Sequence, residues 1–135
     1  MAEVDLNPAI RERIDVLRNQ NVLVDVLESE LTTGAIDGIR QGFGRRPRNP
    51  TRTFDTSDED RARIIEWLLQ LPLSGEQRVL VFWPQYLAGV GMRFGDFARH
   101  YDNLWFPSAD DLFVTDDRGS WLLRLDHEEI FALYC

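Results

Sequence analysis

The last third of the chain constrains the fold more than any other stretch, because three short runs rich in aliphatic and aromatic residues follow one another with turn residues between them. Leu112 to Asp116, Ser120 to Asp126 and Ile130 to Tyr134 read as strands. Asp117-Arg118-Gly119 joins the first pair, with the glycine supplying the left-handed conformation of a bulged hairpin turn. Along the middle strand Trp121, Leu123 and Leu125 fall on one face and Arg124 and Asp126 on the other. The predicted result is a β-meander with one face available for a core.

Upstream, helical spacing dominates. Asn7-Pro8 reads as an N-cap and a first-turn proline, followed by Ile10, Ile14 and Leu17. Leu23, Leu27 and Leu31 extend a helical stripe that Thr32-Thr33-Gly34 ends, although Val22, Val24 and Val26 also fit a strand. Gly42-Phe43-Gly44-Arg45-Arg46-Pro47-Arg48-Asn49-Pro50 has frequent breakers and no apolar period, which predicts a basic loop over about 42–55. Thr56 and Ser57 then offer N-caps, Asp58, Glu59 and Asp60 suit the positive end of a helix dipole, and Ile64, Trp67, Leu68 and Leu71 line one face before Pro72. Arg78 to Trp83 predicts a strand buried on both faces. Gly89, Gly91 and Gly95 predict an irregular loop leading to a short helix with Phe97, His100 and Tyr101. Together these predict a single α+β domain spanning 1–135, with N-terminal helices packed on one face of a small, mainly antiparallel C-terminal sheet.

Charge narrows the partners. The net charge is -8, and all fifteen basic residues are arginine, so mechanisms that need a lysine, such as Schiff-base or P-loop chemistry, are excluded. Arg40 to Arg52 carries five arginines and no acid, whereas Asp96 to Glu129 carries nine acids against three arginines. An acidic whole repels phosphate backbones and favours a basic protein surface. The single cysteine, Cys135, has no partner for an intramolecular disulfide and no paired-histidine signature for catalysis. Met1 to Asn7 lacks a basic region followed by a hydrophobic core, which predicts no secretory signal, no membrane association and a cytoplasmic address.

Three kinds of site compete. Trp105, Phe106, Asp110, Asp111, Asp116, Asp117, Glu128 and Glu129 combine rings with carboxylates and form the predicted partner-binding edge. Buried, Trp105 and Phe106 would instead plug the end of the sheet against the helix carrying Trp67. Asp110, Asp111, His127 and Glu128 would suit a divalent metal in a small hydrolase or ligand-binding protein if the two loops that carry them converge. Ordinary turn chemistry is the rival explanation of those residues. Arg45, Arg46, Arg48 and Arg52 resemble a nucleic-acid-binding arm, disfavoured by the net charge and open to neutralisation by Asp55 to Asp60. Gly89, Gly91 and Gly95 do not make a dinucleotide fingerprint, because Phe94 stands where that motif needs a small residue. No resident cofactor is expected.

Tyr101-Asp102-Asn103-Leu104-Trp105-Phe106-Pro107-Ser108-Ala109-Asp110-Asp111, followed by Trp121 and then Asp126-His127-Glu128, resembles the C-terminal pattern of small acidic bacterial proteins. Some proteins of this size and acidity act as immunity partners of secreted toxins. The resemblance covers about the last third of the chain and transfers no catalytic residue. With the charge distribution, it makes a non-enzymatic binding module for a basic toxin or effector the leading expectation.

Overall fold

The computed structural model describes residues 6–44, 49–107 and 109–135, with the side chains of residues 43 and 44 set aside. Arg45, Arg46, Arg48 and Ser108 therefore lie outside the described residues. Along the chain come α1 (Pro8–Asn19), β1 (Asp25–Val26), α2 (Ser29–Ile39), β2 (Arg52–Asp55), α3 (Arg61–Leu69), β3 (Arg78–Trp83), β4 (Ala88–Arg93), α4 (Phe94–Leu104), β5 (Leu112–Thr115), β6 (Leu122–Leu125) and β7 (Ile130–Tyr134). The strands form one sheet in the order β1-β4-β3-β5-β6-β7-β2, and every neighbouring pair is antiparallel. The α+β class with a mainly antiparallel sheet follows directly.

The C-terminal meander forms as its spacing predicts. Gly119 takes φ 62° in the β5–β6 turn, and Asp116 Oδ1 accepts from the backbone N–H groups of Arg118 and Ser120 at 3.0 and 3.1 Å. At the β6–β7 turn Asp126 Oδ1 accepts from the N–H groups of Glu128 and Ile130 at 2.9 and 3.2 Å. These carboxylates replace backbone partners that a tight turn cannot supply.

Two faces of the sheet receive helices. α1, α3 and α4 pack on the face formed by Val81, Trp83, Val114, Leu123 and Phe131, and this is the main core. α2 lies on the opposite face, where Ile36 and Ile39 meet Phe82 and Leu122 in a smaller cluster. Burying each such side chain contributes roughly 1.5–3 kcal/mol, so the larger layer dominates stability.

Five local expectations change. Residues 22–31 are not a continuous helix: Val22 and Val24 are buried while Leu23 is 72% exposed, a period of two that feeds β1. Branched side chains settle this stretch in favour of extended backbone. α2 runs through Thr32-Thr33-Gly34 instead of ending there, with the Thr32 hydroxyl donating to the Glu28 carbonyl at 2.9 Å. Asp60, not Thr56 or Ser57, caps α3 by accepting from Arg63 N–H at 2.8 Å. The predicted basic loop is also shorter at its far end, because Arg52 to Asp55 form β2 and pair with β7.

The fifth change explains the glycines. Residues 88–93 form β4, not a loop, with Ala88, Val90 and Met92 buried in the main core. Gly89 and Gly91 point the other way, where a Cβ would lie 2.6 Å from the Phe82 ring and closer still to the Arg78 guanidinium. Glycine in a strand here marks close approach of neighbours. The two sites differ in how easily the neighbour yields. Gly89→Ala must move a buried ring and is expected to cost about 1–3 kcal/mol. Gly91→Ala displaces only the end of an exposed arginine and should cost less than half as much. Urea denaturation of both variants measures the difference.

Candidate functional site

An arginine on an apolar helix face organises the end of the sheet. Arg13 belongs to the same stripe of α1 as Ile10, Ile14 and Leu17 and is buried with them. A buried guanidinium requires an acceptor. It finds Asp110, fully buried, at 2.9 Å, and also donates to the Leu104 carbonyl at 3.3 Å. Asp110 accepts in addition from Phe106 N–H at 2.9 Å and Gln85 Nε2 at 3.2 Å. Rings of Phe106 and Tyr86 lie 4.2 and 5.8 Å from the guanidinium, within cation–π range.

This arrangement divides the predicted partner edge. Trp105 is interior: its ring meets Phe131 edge-on at 5.0 Å, and its indole N–H donates to the Asp110 carbonyl at 3.1 Å. Phe131 in turn contacts Trp67 at 6.2 Å, so Trp105 is the plug of the sheet end and not an accessible anchor. Asp110 likewise leaves the accessible set. Phe106 stays 44% exposed.

Asp111 pairs with His127. Its Oδ1 accepts from the His127 backbone N–H at 3.0 Å and lies 3.0 Å from Nδ1 of the imidazole. The hydrogen bond first, and the carboxylate charge second, raise the His127 pKa above its ordinary value. Asp110, Asp111, His127 and Glu128 do not gather into a metal site, since Asp110 is buried against Arg13 and no group of three suitable ligands occurs among the described residues. The two loops that carry these residues do converge, at the Asp111–His127 contact, but Asp110 faces Arg13 instead of joining them.

The remaining acids occupy opposite ends of the sheet. Asp116 and Asp117 sit at the β5–β6 turn, and Glu128 and Glu129 at the β6–β7 turn. Burial opposes the charge on Asp116, but hydrogen bonds from Ser120, Arg118 and Gly119 outweigh it and hold the pKa below the usual value. Asp116 is therefore committed to its turn. The other end gains acids that sequence spacing did not connect to it. Thr56 donates through both its N–H and its hydroxyl to the Glu129 carbonyl at 2.8 Å, which joins residues 55–60 to residues 126–129. Asp55, Asp58, Glu59 and Asp60, all exposed, flank the residue that makes this junction. Nearby cations are already engaged: Arg61 with Asp102 at 2.8 Å, Arg63 with Glu66 at 3.1 Å, and His127 with Asp111.

Arg52 lies on β2, with Nη1 3.4 Å from the Gln70 carbonyl, so the one described member of the predicted arginine arm belongs to the sheet edge. Arg13 was not singled out from the sequence, although a charged residue within an apolar helical stripe signals a buried partner. No helix among the described residues is long and apolar enough to cross a membrane. Comparison with protein-family models, curated proteins and solved structures finds no match to this chain.

Arg13→Met should cost about 3–5 kcal/mol, because it strands a buried carboxylate. Arg13→Met combined with Asp110→Leu should cost clearly less than the two single changes added together, which a double-mutant cycle in urea measures. The His127–Asp111 pair contributes stability that is complete below the ordinary histidine value and is lost as pH rises through the raised folded value. An NMR titration should place the His127 midpoint above 6.5, and Asp111→Asn should lower it.

Proposed function

We propose that this chain is a non-enzymatic protein-binding module, most concretely an immunity-type protein that occludes a basic toxin or effector domain. The observation that carries this reading is the union of residues 55–60 with residues 126–129 at one end of the sheet, held by the two Thr56 hydrogen bonds to Glu129. Asp58, Glu59, Glu128 and Glu129 have no hydrogen-bond or ion-pair partner for their side chains among the described residues, and the neighbouring cations are engaged elsewhere. Their field favours encounter with a cationic surface and speeds association. Phe106, half exposed and steadied by Arg13 beneath it, supplies a ring for the contact itself. A rigid base under an exposed ring lowers the entropy lost on binding.

Binding and protection assays with basic proteins encoded beside the gene test the proposal, and failure to bind or protect against every one of them overturns it. With a partner in hand, Asp58→Lys, Glu59→Lys and Glu128→Lys together should slow association at low salt by about tenfold or more and flatten its salt dependence. Phe106→Ala should act mainly on dissociation. An association rate indifferent to the three charge reversals would remove the acidic end from the interface.

A further inference from the structure

On the sheet face that carries α2, a cavity of about 300 Å³ opens between the end of that helix and the strands. Phe113 of β5, Leu122 of β6 and Tyr134 of β7 give it apolar surface. Arg40, in the turn that follows α2, and Arg124 of β6 enter the same space, with Asp111 also on its wall. Among the described residues neither guanidinium has a hydrogen-bond or ion-pair partner, and Arg124 Nε is sealed from solvent without an acceptor. This chain carries 23 acids against 15 arginines, so two unpaired arginines in one cavity stand out against the surrounding charge. Only Nε is sealed in this way, so the outer nitrogens of half-buried Arg124 and the exposed Arg40 stay open to a ligand in the cavity.

We propose that this cavity binds a monocarboxylate carried on an apolar body. The planar fork of arginine matches a carboxylate in two parallel hydrogen bonds, and a second arginine can close on the same group. The rings and leucine accept the body, in a volume at the lower end of those that hold small ligands. Two guanidinium groups and one aspartate leave a single net positive charge, which favours a monoanion over a phosphate dianion. Asp111 is already bonded to His127 and is not free to neutralise either arginine by turning inward. None of the cavity's lining residues belongs to the segments that form the acidic rim proposed for the protein partner, so either can fail without the other.

Calorimetric titration of the full chain with 3-phenylpropionate, 3-phenylpropanol and acetate tests the proposal. Saturable binding of 3-phenylpropionate is expected, with the alcohol and acetate each weaker by about tenfold or more. Arg124→Met keeps the apolar stem and removes only a guanidinium that has no protein partner, so it should retain the unfolding midpoint while weakening 3-phenylpropionate by about tenfold or more. Arg40→Met should weaken it independently, and serves alone if the first variant does not fold. The tripeptide Ala-Ala-Phe, as free acid and as amide, separates the two sources of such a group: tighter binding of the acid than of 3-phenylpropionate assigns the carboxylate to a chain terminus, and the reverse order assigns it to a free small molecule. Equal binding of the alcohol, affinity unchanged in the folded variants, or no saturation below ~10 mM overturns the proposal.

Discussion

Arg13 and Asp110 stand 97 residues apart and meet at 2.9 Å in the interior, and much of the architecture at that end of the sheet depends on their meeting. The pair joins α1 to the segment after α4. Through the Leu104 carbonyl it also reaches Trp83 at the end of β3, whose indole N–H donates to the same oxygen at 2.7 Å. Apart from Arg13 Nε, which is buried without an acceptor, the polar groups of this knot satisfy one another. Such networks specify one arrangement because any slip exposes an unpaired charge to a medium that solvates it poorly.

The same knot separates interior from surface at the carboxylate-rich edge. Trp105 turns inward onto Phe131, Phe106 turns outward over Arg13, and Asp110 turns inward while Asp111 reaches His127. Neighbouring residues thus take opposite assignments. Interaction with another polypeptide is left to the part of the edge that carries solvated carboxylates and one half-exposed ring, which is why the acidic rim, rather than the tryptophan, anchors the proposed function.

Electrostatics gives the end of the sheet and its α2 face different characters. At its end, the acids of residues 55–60 and 126–129 reinforce one another because backbone hydrogen bonds hold the two loops together. On the α2 side, Arg40 and Arg124 lack acids close enough to pair. Asp55 to Asp60 lie against the β6–β7 turn, and their charge adds to that of Glu128 and Glu129.

Local chemistry made several elements legible: the Asn7-Pro8 start of α1, the apolar face of α3, the β3 run and the turns of the C-terminal meander all follow from rules acting over a few residues. Where two local rules competed, the contacts decided. Val22 and Val24 became extended because β1 could pair with β4, and Gly89 joined a strand because Phe82 needed the space of its missing side chain. The candidate sites were less legible, since Arg13 with Asp110, Thr56 with Glu129, and Arg40 with Arg124 are each brought together from separate elements. Sequence by itself determined the class of fold and the excess of acid near the C-terminus, because periodicity and composition are local properties. Only tertiary structure decided which acids are solvated and which arginines are left unpaired, because burial and Coulomb interaction depend on distance in space and not on distance along the chain.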